Sequence, residues 1–185
     1  MFYISEITHT APITYRSNAQ ERVYSVLKDL DISYDRVDTD AAIEMESCLA
    51  IDKVVGVSIV KTLFLCNRQK TQFYLFITCG DKPFRSKDFS ASLGVSRVSF
   101  APSELLEEMM GSAIGGTSIL RALLDTSHDV QIVIDQDTIN GEWFGCSDTT
   151  AFSFMRLKTS DLLKIILPYV NRDYKIITLP YEKEN

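Results

Sequence analysis

The chain has 185 residues, of which 45% are hydrophobic and 24% charged, a balance that suits one compact domain with a real core. It excludes an intrinsically disordered chain, a collagen-like fibre and a disulfide-dense miniature. With 19 Lys and Arg against 25 Asp and Glu the net charge is −6, which argues against a protein that coats DNA, because phosphate attraction is bulk electrostatics, while leaving room for selective contact with a short piece of nucleic acid.

Residues 1–17 read as an extended arm. Ser17 followed by Gln20 fits a capping box, and Val23, Val26, Leu27 and Leu30 then recur at helical spacing. A short strand is predicted over 34–37, and Thr39 or Asp40 is the expected cap of a second helix reaching Leu49. Segments 57–66 and 71–79 read as strands joined by a polar turn at 67–70, hence a hairpin. Ser86 is expected to cap a short helix that ends near Gly94, followed by a strand over 95–100. Pro102 suits a first helical turn and Gly111 the end of the helix carrying Leu105, Leu106, Met109 and Met110. A loop over 111–118 leads into a short apolar helix at 119–124. Further strands are predicted at 130–135 and 150–157. Thr159 or Ser160 starts the last helix, with Leu162, Leu163, Ile166 and Leu167 on its core face. The tail from Tyr174 to Pro180 fits an added strand or a contact between two copies equally well. Helices and strands interleave without strict βαβ regularity, which favours an α+β domain with a mixed sheet.

Residues Met1 to Pro12 mix Ser5, Glu6, Thr8 and His9 with apolar residues, unlike a signal peptide. No run of about 18 apolar residues exists to span a bilayer. The expected location is cytoplasmic, away from membranes. Four cysteines, at 48, 66, 79 and 146, form no C-x-x-C pair and read as reduced, buried thiols. Only two histidines occur, His9 and His128, in the arm and in an expected turn. That leaves little for a Ser-His-Asp or Cys-His arrangement. No zinc spacing and no carboxylate cluster points to a metal, and no cofactor is expected. Asp135 and Asp137 suit a capped turn better than a bound cation.

Charge is uneven along the chain. Between residues 67 and 87, Arg68, Lys70, Lys82, Arg85 and Lys87 face Asp81 alone, and between 38 and 52 five acids occur with no base. Either run alone is ordinarily a solvated face; together they suggest an anion-attracting rim on an acidic protein. Lys61 is the most informative residue. On one parity of its strand lie Val57, Ile59, Lys61, Leu63 and Leu65. An unpaired ammonium buried on that face costs several kcal/mol or sheds its proton. Such a lysine either meets an anion in a cleft, or protects a strand edge and snorkels to solvent. The segment from Gly111 to Ser118 holds three of the eight glycines, which lets backbone approach a ligand closely. The segment from Gly141 to Thr149 places Trp143 and Phe144 just before an expected strand, where they close a pocket or plug a core edge.

The order of these pieces resembles the YbaK/ProX family, free-standing relatives of the editing domain inserted in bacterial prolyl-tRNA synthetases. The residues that carry the resemblance are "KTLFL" at 61–65, "LGVSRVSFAPSELLEEMMG" at 93–111, the Gly-rich loop, "VQIVIDQ" at 130–136, "DTTAFSF" at 148–154 and "SDLLKII" at 160–166. It implies a mixed, partly barrel-like β-sheet flanked by helices, with residues 19–170 as one editing domain between an arm (1–18) and a tail (171–185). It also implies hydrolysis of the ester between a wrongly attached amino acid and the 3′ end of a tRNA, with alanine and cysteine prominent. Lys61 matches the family lysine that holds the terminal nucleotide, and Thr62 stands where Asn is usual. Gly115 matches the glycine of the loop around the aminoacyl group, with Gly116, Thr117 and Ser118 following it. Asp148 stands where an Asn is common. Two positions depart: Ile119 replaces the loop proline, and 143–148 contains no His-Pro. The implied partner is the acceptor end of an aminoacyl-tRNA, with an aminoacyl-tRNA synthetase as a further candidate, for a monomer or weak homodimer. The two departures favour a second reading, a binding module for a tRNA end, nucleotide or synthetase, whereas Lys61 and the glycines favour the deacylase.

Overall fold

Ser17 starts the first helix as its sequence predicts: the hydroxyl accepts a hydrogen bond from Gln20 N at 3.1 Å. Helix α1 (Asn18–Asp29) buries Val23, Tyr24 and Leu27. The computed structural model describes residues 2–113, 115–124 and 129–182; His128 and its expected turn lie outside them, as does Ile114 of the Gly-rich loop.

The second helix departs from expectation. Helix α2 (Met45–Val55) begins after Glu44 and closes on Gly56, whose φ of 77° is left-handed. Thr39 and Asp40 do not cap it, because long-range partners take them. Thr39 N donates to Phe152 O at 2.8 Å, and the Asp40 carboxylate accepts from Tyr3 N at 2.9 Å. The arm is thus tied down, with bridges from Ile4 to Thr39 and from Thr8 to Arg36.

The strands form two sheets. One has the order β1-β7-β6, with β1 (Tyr34–Asp38), β6 (Trp143–Ser147) and β7 (Ser153–Lys158) all antiparallel. The other has the order β4-β2-β3-β5-β8. Here β2 (Lys61–Asn67) and β3 (Phe73–Thr78) form the expected hairpin, β4 (Val98–Phe100) flanks β2, and β5 (Val130–Asp135) and β8 (Tyr174–Ile177) continue in parallel. The tail is therefore an added strand. Among the described residues the sheets meet through one parallel bridge, Ile59 to Gly145. The fold is α+β with a mixed sheet, and no barrel closes.

Strand β6 is one that sequence reasoning passed over in favour of a strand at 150–157. Gly145 sits in its middle. A Cβ there would stand 2.8 Å from Val57 Cγ1 and 2.9 Å from Ser58 O, so glycine permits the close approach that joins the sheets. Residues 149–152 instead form a turn, and β7 starts at Ser153.

Helices α3 (Ser86–Leu93) and α4 (Ser103–Met110) end on Gly94 and Gly111, both left-handed. Ser86 is the first residue of α3 rather than its cap; its hydroxyl bonds Val98 O. A 3₁₀ turn, Ile119–Leu123, is capped by Ser118. The last helix is α5 (Thr159–Asp161), a π-helical stretch Leu162–Ile166 and α6 (Leu167–Val170). Pro168 has no N–H for an ordinary helical bond, which fits the widened turn beside it. Among the described residues no helix is long and apolar enough to cross a membrane.

Three apolar clusters result. The largest packs α1, the 3₁₀ turn and the last helix on one face of the larger sheet, through Phe64, Cys66, Leu75 and Ile132. On the opposite face Leu65, Phe76 and Val133 pack against Phe89 and the tail residues Ile177 and Leu179. The third, under α2, gathers Val37, Ile51, Ile59 and Phe154.

Candidate functional site

Lys61 opens β2 at the point where the two sheets part. Of its predicted apolar neighbours, Leu63 and Leu65 belong to the second cluster and Val57 and Ile59 to the third. The lysine therefore stands in the seam between two cores. The seam holds a cavity of about 240 Å³, lined by Ala42, Ile43, Cys48, Ile59, Val60, Lys61, Thr62, Gly80, Gly115, Thr117, Ser147 and Phe154. Among the described residues Lys61 is the one charged side chain in that lining. Burial pulls its pKa down from the ordinary lysine value, while Asp81 and the Cys79 thiol oppose the shift. Its Nζ donates to the carbonyl oxygen of Lys82, which leaves two of its three N–H bonds for a ligand.

Four predicted site residues thus share one cavity: Lys61, Thr62, Gly115 and Thr117. Gly116, Ser118 and Asp148 do not line it. Gly115 has a φ of 87°, a backbone state that glycine tolerates best. Gly116 turns the other way: its N–H closes the turn on Ala113 O at 3.1 Å and so is not a donor toward the cavity. Ser118 is fully buried, its hydroxyl donating to Ser147 O at 2.7 Å and accepting from Leu120 N. It fixes the loop to β6.

Asp148 is also fully buried. Its carboxylate accepts from Gln20 Nε2 at 2.7 Å, Tyr24 Oη at 2.9 Å and Thr150 Oγ1 at 2.7 Å. Burial raises its pKa, and these donors partly offset the rise. The residue ties α1 to the turn between β6 and β7. Thr149, next in that turn, holds a φ of 89°, a strained state for a β-branched residue.

The expected basic rim is corrected in three places. Lys82 is completely buried, its ammonium 2.8 Å from Asp135 and 2.6 Å from Asp137, with Leu179 O also at 2.8 Å. Burial works against its charge, but the two carboxylates outweigh it and raise its pKa. Asp135 and Asp137 do engage a cation, then, and it is this lysine; Asp135 also caps the turn through Asp137 N. Arg68 and Lys70 lie at the hairpin tip. Lys61 pairs with Thr78 at the other end, about 20 Å away at 3.3 Å per residue. Arg85 and Lys87 line a separate groove with Asp88 and the tail residues Thr178 and Pro180.

Sequence reasoning missed the Lys82 cluster. One signal was available: an acid closing the apolar run of β5 is buried, and a buried carboxylate needs a cation. Its reading of buried thiols holds for Cys66 and Cys146, whereas Cys48 and Cys79 are half-buried. Cys66 and Cys146 are buried and all four cysteines are free, and burial pushes the Cys146 thiol up to about 12. In the cavity wall, burial and nearby Asp52 hold the Cys48 thiol above its ordinary value, which keeps it protonated.

The family model described as the aminoacyl-tRNA editing domain matches residues 40–165. The prolyl-tRNA editing protein ProX of Acetoanaerobium sticklandii is 26% identical over 149 residues, which is 80% of this chain and 91% of that protein. The crystal structure of a candidate trans-editing enzyme for prolyl tRNA synthetase superposes with a TM-score of 0.65 at 18% identity, over 90% of this chain and 100% of the other. A scaffold protein used in epitope backbone grafting superposes with a TM-score of 0.66 at 16% identity, over 88% of this chain and 97% of its own. The two structures establish a shared fold, and the match over 40–165 establishes the family: the chain belongs to the aminoacyl-tRNA editing domain family.

Proposed function

We propose that the protein is a trans-acting deacylase. It hydrolyses the ester joining a wrongly attached amino acid, of the size of alanine or cysteine, to the 3′ end of a tRNA. The observation that carries this reading is the placement of Lys61 and Gly115 on one cavity of about 240 Å³. That volume suits a small side chain, and Ala42, Ile59 and Phe154 offer it apolar contact.

An aminoacyl ester is already activated, so the protein has mainly to position it and to place charge. The two unengaged Lys61 N–H bonds hold the phosphate of the terminal nucleotide. The backbone of Gly115 and the hydroxyls of Thr62 and Thr117 surround the aminoacyl group. Water adds to the ester carbon, the bond from that carbon to the 3′ oxygen breaks, and the oxygen leaves with a proton, assisted by the neighbouring 2′-hydroxyl. The products are a free amino acid and an uncharged tRNA end. A protonated Cys48 takes no part as a nucleophile. A grip confined to the acceptor end is compatible with a net charge of −6. Residues 19–170 make up the editing unit, braced by the arm and by β8.

The test presents purified protein with tRNAs charged with alanine, cysteine, serine and proline, and follows ester loss. The proposal expects loss with at least one small amino acid. Binding to these tRNAs with no ester loss for any of them would replace the deacylase with a binding module.

A further inference from the structure

A second cavity, of about 340 Å³, lies on the other side of the glycine turn. Gly115 lines the first cavity and Gly116 the second, and Ile43 lines both. Two arginines line the second cavity, Arg16 and Arg121, with no carboxylate in its lining. Arg121 is 93% buried, since only 7% of it is exposed. Its Nε donates to Ser112 Oγ at 3.0 Å and its Nη2 to Gly111 O. Among the described residues no hydrogen bond engages its Nη1. Buried cations normally face an acid. This one has neutral oxygen partners and leaves one N–H₂ group open. Arg16 lies with its guanidinium 3.9 Å from the centroid of the Phe152 ring, which also lines the cavity.

An open arginine N–H₂ group, a second arginine and an aromatic ring suit a nucleic-acid strand: guanidinium N–H groups donate to phosphate oxygens, and a ring offers a stacking surface. We infer that this cavity is a phosphodiester subsite, in which Arg121 Nη1 and Arg16 hold a backbone phosphate of the RNA strand whose aminoacylated end occupies the Lys61 cavity. This assignment rests on the deacylase reading for which strand enters, and on the two arginines alone for the phosphate. Ile43 and the 115–116 turn then separate the nucleotide that reacts from the chain that leads to it. Asp148, which precedes the lining residues Thr149 and Thr150, is engaged by Gln20, Tyr24 and Thr150 and so is not free to take the guanidinium groups.

The test measures binding of a short, uncharged, fluorescently labelled single-stranded RNA to full-length protein by anisotropy across a salt series. The variants are Arg16→Gln, at an exposed position, and Arg121→Lys, which keeps the charge and loses the fork; circular dichroism confirms that each is folded. Arg16→Gln is expected to weaken RNA binding by about three- to tenfold, and to lower the slope of log K against log salt by about 0.7, the value for one single-strand phosphate contact. Arg121→Lys is expected to weaken binding with the slope retained. Folded variants with unchanged affinity and slope would overturn the subsite, even if tRNA deacylation through Lys61 is observed. Arginine-dependent RNA binding in a protein that deacylates no charged tRNA would leave the subsite standing and remove the deacylase. Arginine-dependent thermal stabilisation by inorganic phosphate without RNA binding would overturn the RNA assignment.

Discussion

Lys61 Nζ donates to the carbonyl oxygen of Lys82, and the Lys82 ammonium is itself buried between Asp135 and Asp137. The ammonium end of one lysine is thus held by the backbone of another that the core has fixed. A long side chain at the seam of two sheets has many rotamers. Holding its end lowers the entropy lost when a ligand arrives.

Replacing Lys82 tests this support. Lys82→Met leaves Asp135 buried without its cation, so unfolding free energy should fall by about 3–5 kcal/mol, read from a denaturant midpoint. The pH dependence follows from the sign of the shift. The folded pKa of Lys82 lies above its ordinary value. The contribution is therefore complete below the unfolded value of about 10.4 and is lost as pH rises through the folded value. The gap between wild type and Lys82→Met should be constant from pH 7 to 9 and narrow in stronger alkali.

Gly145 is the contact through which the sheets join. Gly145→Ala places a methyl group 2.8 Å from Val57 Cγ1 and 2.9 Å from the Ser58 carbonyl, and a backbone oxygen cannot rotate away. We expect a loss of about 1–3 kcal/mol in chemical denaturation. Deacylation should fall with it, because Ile59 and Lys61 follow directly in the displaced segment.

Much of the frame was legible from local sequence. Ser17 and Gln20 cap α1 within three residues of each other, and the alternation in β2 and β3 marks a hairpin before any partner is known. Lys61 was legible for the same reason, as a charge on an apolar parity. What stayed hidden depended on distant partners. Thr39 and Asp40 look like helix caps until Phe152 and Tyr3 claim them. Strand β6 is obscured by Gly145, whose value lies in what presses against it. Lys82 looks like any surface lysine beside Asp81, and only the fold brings Asp135 and Asp137 to it. Asp148 matched a family position, but its side chain faces α1 rather than the cavity.

The Asp148 cluster gives a second pH signature. Tyr24→Phe removes one of the three side-chain donors to a buried carboxylate. The cost at pH 7 should be about 1.5–3 kcal/mol, the range for a hydrogen bond to a charged group. Burial puts the folded pKa of Asp148 above the carboxylate norm, and Tyr24 lowers it. A raised folded value makes the contribution complete below about pH 3.9, with loss as pH climbs through the folded value. Without Tyr24 that loss is larger. The deficit of Tyr24→Phe, followed by thermal melts, should be small near pH 4 and grow toward pH 7.

The most direct measurement compares single-turnover ester loss from alanyl- and cysteinyl-tRNA for wild type and Lys61→Ala, with folding of the variant checked by circular dichroism. The account predicts that wild type releases at least one of these amino acids and that Lys61→Ala slows release by at least about 100-fold, the scale on which removing one positioned electrostatic group acts. Release at an unchanged rate in the folded variant would contradict it.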